Sequence, residues 1–276
     1  MSPRAYGCAN ADINDGDGAV PGICLFDNPA KKDINTLALQ SVVNTYVEHF
    51  CLQGRTLKKN GEWNTLVLPF NITQYMLMGP PLEGLTLKQL DNSADGTSLN
   101  DDGMLKLKFK KTVGIQAGTP YIVKWDNSDG DIENPTFTHV EILSAVAKET
   151  ISNDGKVKFV GQYDPFAIDA NNKDEMLFIG SGNRIGYVAT DATLPRLLKS
   201  CRAHFQIDSN GNLAHARTIS IDWGDDDETT SLIENGKWKI ENYNATEWFT
   251  LDGRKLDTKP TAKGVYIYGG RKFVIK

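Results

Sequence analysis

Four carboxylates and a serine crowd into the eight residues DNSDGDIE, from Asp126 to Glu133, directly after Trp125. Oxygen-rich loops of this kind hold Ca²⁺ through ligands at alternate positions, which makes Asp129 and Asp131 the candidate metal pair. The spacing is not that of an EF-hand, because Gly130 occupies the fifth place, where an acid belongs. A large aromatic at a strand end, followed at once by polar groups, also offers a stacking face beside hydrogen-bonding partners. Trp125, Asp126, Asn127, Asp129 and Asp131 therefore form the candidate ligand site. The competing reading puts Trp125 on the core face with Tyr121 and Val123 and leaves the acids as a solvated hairpin loop. DINDGDG, from Asp12, departs from the EF-hand in the same way, with Gly16 where the third acid belongs, and reads as a turn.

The histidines and cysteines are less promising. His204 and His215 flank Asn210-Gly211-Asn212. A two-residue Asn-Gly turn would pair His204 with Arg217 and set both imidazoles on one face. A three-residue loop centred on Gly211 pairs Ala203 with Ile219 and Phe205 with Arg217, and it gathers the apolar residues together. Register follows the buried face, so the second pairing is expected, and it separates the histidines. His49 and Cys51 share a strand face in YVEHFCL without a third group, and His139 stands alone. IGSGNRIG, from Ile179 to Gly186, has a Gly-x-Gly core, but the YVAT that follows does not open a helix, which argues against a dinucleotide fingerprint. No GxSxG, HExxH or Walker pattern occurs, and paired carboxylates for glycoside hydrolysis do not stand out among the loop acids. No catalytic residue is assigned and no organic cofactor is expected.

The elements that must carry these loops are strands. Asx-Gly pairs such as Asn60-Gly61, Asp102-Gly103, Asp154-Gly155 and Asp252-Gly253 recur along the chain. Short alternating runs lie between them, as where Val157, Phe159 and Gly161 alternate with Lys158 and Val160. Tight turns between short alternating runs predict an all-β chain with an antiparallel sandwich or barrel body. Apolar residues on both faces of EWNTLVLPF predict a central strand, buried twice, that ends or bulges at Pro69. Trp63, Leu66, Leu68 and Phe205 are expected in the core. Helical signals are few. Asp33 would cap a short helix through Val43 with Leu37, Ser41 and Val42 on one side, and a turn or two would follow Asn71 until Gly79-Pro80-Pro81. Four regions result: an extension with a short helix over 1–44, a β body over 45–223, an acidic and polar linker over 224–246, and a small β-meander over 247–276.

At 276 residues, 40% hydrophobic and 24% charged, the composition is that of an ordinary globular chain. A formal charge of -5 provides no broad positive field for nucleic acid. No run approaches the roughly 20 apolar residues of a membrane helix. The opening MSPRAYGCANAD has no apolar stretch of the signal-peptide kind, and Gly7-Cys8 lacks the hydrophobic run of a lipoprotein box. Cys8, Cys24, Cys51 and Cys201 show no CxxC spacing, so a zinc knuckle is not expected. Their even number permits two disulfides, sparse cysteines equally permit buried thiols, and Cys8–Cys24 is the pairing that would staple the loosest segment.

The closing WFTLDGRKLDTKPTAKGVYIYGGRKFVIK, from Trp248, reads as a meander with turns at Asp252-Gly253 and Gly269-Gly270, too small to bury a core of its own. It resembles the C-terminal tail of many secreted and surface proteins of bacteroidete-type gut anaerobes. GRTLKKNGEWNTLVLPFN from Gly54, AGTPYIVKW from Ala117, NPTFTHVEI from Asn134, KVKFVGQYDPF from Lys156 and CRAHFQI from Cys201 follow in order. Together they resemble the β-rich module that precedes that tail, often behind leucine-rich repeats. The likeness spans roughly residues 39–276 and leaves out the first 33. It departs at Val67, where relatives often carry cysteine. The resemblance implies a secreted or cell-surface module in adhesion or ligand binding, with host or envelope glycans or proteins as partners, and it transfers no catalytic residue. A carbohydrate-active protein, lectin-like or hydrolytic, and a structural spacer that presents upstream repeats are the alternative expectations.

Overall fold

Period-two alternation becomes strand where it is clearest. In Val157–Gly161, Val157, Phe159 and Gly161 are buried while Lys158 and Val160 are half-exposed. The strand turns back on Glu149–Ile151 through Asp154-Gly155, where Gly155 takes φ 72, a left-handed conformation costly for other residues. The computed structural model describes residues 21–28, 33–126, 130–188, 192–207, 216, 218–224, 229–231, 248–250, 255–256, 258–268 and 271–275. These residues form an all-β protein with one α-helix, Ile34–Val42. The chain divides into two compact units, Met1–Gly236 and Lys237–Lys276.

Two sheets make the larger unit a sandwich. The first runs Thr229–Ser231, Thr218–Asp222, Met104–Lys111, Thr86–Leu90, Pro120–Lys124, Asn64–Val67, with Ser98–Leu99 also paired to Met104–Lys111. The second runs Glu149–Ile151, Val157–Gly161, Ala203–Ile207, Met176–Gly180, Arg184–Gly186. Phe109 of the first lies 6.4 Å from Phe159 and 6.1 Å from Phe205 of the second, and Phe159 and Phe205 stack at 4.6 Å. Stacked and edge-on aromatic pairs of this kind add to the burial of their area. Trp63, Leu66, Leu68 and Phe205 are buried as expected. A third sheet joins Ile23–Phe26, Thr45–Gln53 and Thr136–Ile142, so the N-terminal region contributes a strand as well as the helix.

Three local expectations are corrected. Ala203–Ile207 and Thr218–Asp222 do not form a hairpin in either register. The first pairs with Val157–Gly161 and Met176–Gly180, and the second lies parallel to Met104–Lys111 with Ile219 opposite Leu105. Burying Ile219 and Ile221 beside Leu105 and Leu107 satisfies the apolar face without a local turn. Asn64–Val67 is an edge strand, not a central one, although Leu66 and Val67 are fully buried. Its free edge is covered, since Val67 N–H donates to Cys201 O at 3.3 Å and Thr65 Oγ1 accepts from Ala203 N–H at 3.1 Å. On the helix, Asn35, Leu39 and Val42 are buried and Leu37 is exposed. Asp33 takes φ 60 instead of the extended conformation of a capping residue, and its side chain makes no cap bond.

The smaller unit is a four-stranded antiparallel sheet in the order Lys255–Leu256, Trp248–Thr250, Gly264–Tyr268, Arg271–Ile275, so Gly264–Tyr268 pairs with Trp248–Thr250 and not, as in a meander, with the strand just before it. Tyr268 pairs with Arg271. The expected pivots Gly269, Gly270, Asp252 and Gly253 lie outside the described residues.

Candidate functional site

The geometry of the site begins at a buried asparagine. Asn35, on the first helical turn, accepts from Phe26 N–H at 2.9 Å and donates to Phe26 O, Tyr163 O and Ser200 Oγ at 2.9, 2.8 and 3.0 Å. With its amide satisfied on every side, it pins the end of Ile23–Phe26 against the segment before Ala203–Ile207. Asp27, the next residue, donates its N–H to Gln53 O and accepts Ser200 N–H on its own carbonyl, at 2.8 and 3.0 Å. Its carboxylate is thereby held inside the molecule, only 4% exposed.

Cations gather round that carboxylate. Arg202 donates to both oxygens of Asp27, and the Lys199 ammonium lies 3.3 Å away. Arg55 is buried. Its Nη1 donates to Ser200 O at 3.1 Å and Cys201 O at 3.4 Å, and its Nη2 to Thr65 O at 2.5 Å, which closes the edge of Asn64–Val67. Its Nε has no hydrogen-bond partner. Burial, with the nearby Arg202 charge, pushes the Arg55 pKa down to about 9, which leaves it charged at neutral pH.

These groups line a cavity of about 400 Å³. Lys58, Thr56, Asn64, Thr65 and Trp63 form part of its wall, and Phe178, Ile179 and Leu198 give it an apolar side. Trp63 is no platform for a ligand. Trp223 stacks on it at 5.4 Å, and the ammonium groups of Lys88 and Lys124 lie 5.2 and 5.1 Å from its ring centre. The Gly-x-Gly loop has a structural task beside it: Gly182 N–H donates to Glu62 Oε1, and Asn183 Oδ1 accepts from Trp63 N–H, both at 2.6 Å.

Of the sequence-predicted site, the structure describes Trp125, Asp126 and Asp131. Trp125 is buried, with its Nε1–H donated to Glu83 O at 2.9 Å, so it closes the core and offers no stacking face. Asp126 is exposed and pairs with Lys124 at 2.8 Å. Asp131 is committed to Lys58 at 2.6 Å and to Lys59 N–H at 3.0 Å, which hold its carboxyl below the usual range. Asn127 and Asp129 lie outside the described residues, as do His215, Cys8 and the loop from Asp12. Among the described residues no three His, Cys, Asp or Glu side chains cluster as metal ligands would.

Two groups of catalytic type stand near the cavity, both inert. Cys201 is buried, and desolvation pushes its thiol up to about 12. His204 is buried between Phe166 at 5.5 Å and Phe178 at 6.0 Å, its Nδ1 unpartnered and its pKa pushed down to about 4 by burial. His49 is exposed on the Thr45–Gln53 strand, with Cys51 half-buried two residues on. Cys51 lies across from Cys24, which is disulfide-bonded, whereas Cys51 and Cys201 are free thiols. No protein-family model, curated protein or solved structure matches this chain.

Proposed function

We propose that the chain is a non-catalytic ligand-binding module of a secreted or cell-surface protein, and that it binds in the cavity at Arg55. The observation that carries this reading is that cavity, about 400 Å³ in volume, with four cationic side chains and one carboxylate on its wall. The size falls in the range of small-molecule sites, and a few placed polar groups against an apolar side is their usual composition. The non-catalytic part is supported by the state of the adjacent groups: a buried thiol raised to about 12 gives no thiolate near neutrality, and a buried imidazole lowered to about 4 is only a weak base. A disulfide at Cys24 suits an oxidising compartment, and the tail's resemblance to those of surface proteins points the same way. Partners in this reading are host or envelope glycans, or small molecules derived from them.

A thermal-shift screen of such compounds tests it on the wild type and on Leu198→Trp, which fills the cavity from its apolar wall. At least one compound should raise the melting temperature of the wild type and leave the variant unmoved. Equal shifts in both proteins, or none in either, would remove the cavity as the binding site.

A further inference from the structure

Four cationic side chains, Arg55, Lys58, Lys199 and Arg202, line the cavity against one carboxylate, Asp27. Asp27 is already held by Arg202 and Lys199. Lys58 is matched from outside the cavity by Asp131. Arg55 differs from these three. Its two terminal nitrogens donate to neutral carbonyls, so no carboxylate touches it, and Asp27, already shared by two other cations, acts on it only through space. A buried charge with no counter-ion in contact is costly, unless an anion comes close beside it.

We infer that the cavity takes a small organic acid, its oxyanion, a carboxylate or a phosphate ester, seated against Arg55 and Lys199. This rests on the ligand-binding reading above and names the ligand class. An oxyanion accepts from guanidinium and ammonium donors together, in bonds stronger than those between neutral groups. The apolar side formed by Phe178, Ile179 and Leu198 calls for an organic body, which a bare inorganic ion does not have. Thr56 and Thr65 also line the cavity. Trp63, with Trp223 stacked on it and two ammonium groups over its ring, is already engaged and is not a free stacking platform for a neutral sugar, which favours recognition through the charged end.

Titration calorimetry with four probes tests this: glucuronate, glucose 6-phosphate, glucose and inorganic phosphate. The variants are Arg55→Gln, which removes the buried charge, and Lys199→Gln, at a half-exposed side chain where folding is not at stake. Melting curves establish that both variants are folded. At least one of the two acids should bind the wild type at least about ten-fold more tightly than glucose. Its affinity should fall about ten-fold in Arg55→Gln, the loss expected for one charge-assisted contact. Lys199→Gln should weaken it less, and added salt should weaken it further. Which acid binds better separates carboxylate from phosphate ester. Glucose binding as tightly as its charged derivatives, equal affinity in wild type and Arg55→Gln, or no binding of either acid overturns the inference. Inorganic phosphate binding as tightly as glucose 6-phosphate overturns the organic body. A neutral compound that shifts the wild type but not Leu198→Trp would leave the binding module standing while the acid specificity fails.

Discussion

Arg202 grips both carboxylate oxygens of Asp27 across 175 positions of sequence, joining the first described strand to the approach to Ala203–Ile207. The carboxylate is only 4% exposed, and Lys199 and Arg202 both lean on it. Removing one member of a buried pair leaves the other charged and alone, which costs about 3–5 kcal/mol. Asp27→Asn should therefore destabilise the protein by about 3 kcal/mol in urea unfolding at neutral pH. Lys199→Gln, at a half-exposed ammonium, should cost under about 1 kcal/mol. Equal effects of the two would show that the pair is not the anchor its burial implies.

Asp164 caps the helix from 128 residues away. Its two oxygens accept the N–H groups of Asn35 and Thr36 at 2.9 and 3.0 Å, and the Thr36 hydroxyl as well. A carboxylate on the first-turn amides meets orphan donors and the positive end of the helix dipole together. Asp164→Ala should cost about 1–2 kcal/mol, and Asp33→Ala close to nothing, since Asp33 makes no side-chain cap bond. Denaturant midpoints of the two variants check the contrast.

The sequence was legible where structure is local. The alternation of Val157–Gly161, the turn at Gly155 and the two hairpins of the tail follow from neighbours a few residues apart. The short turn at Met76–Met78, stopped by Gly79, was readable for the same reason. The partner of Thr218–Asp222 was not, because a parallel neighbour more than 100 residues earlier competes with the nearer hairpin on equal hydrophobic terms. The cavity was hidden for a related reason. Asp27, Arg55, Lys199 and Arg202 come from separate segments and share no spacing, and a lone Arg55 between two apolar runs reads as an ordinary surface cation. For Trp125 the informative signal was the face it shares with Tyr121 and Val123, both buried, more than the acids after it.

Thiol chemistry should follow burial. Cys201 is fully enclosed with its pKa pushed up to about 12, whereas Cys51 is half-buried and raised by a smaller desolvation. At pH 8, iodoacetamide should label Cys51 in the folded protein and leave Cys201 untouched, with both labelled in denaturant. Peptide mapping by mass spectrometry reads the outcome directly. Rapid labelling of Cys201 under native conditions would mean that the wall behind Arg55 opens.

His204 makes stability sensitive to mild acid. An imidazole ordinarily titrates near 6.5, but burial between Phe166 and Phe178 pushes this one down to about 4. The folded pKa lies below the unfolded one, so between the two values the unfolded chain binds the extra proton. Stability is then full above about pH 6.5 and is lost as pH falls toward 4. From pH 7 to pH 5 the loss from this group is about 2 kcal/mol. The carboxyls of Asp91, Asp131 and Asp154 are held below their usual range, so their contributions fade only at lower pH and leave this window to the histidine. His204→Phe keeps a flat ring between the two phenylalanines and removes the titration. Urea unfolding at pH 7 and pH 5 should show the wild type losing about 2 kcal/mol more than the variant. Parallel losses in the two proteins would mean that the imidazole reaches water, and that the wall beside the cavity is looser than its packing shows.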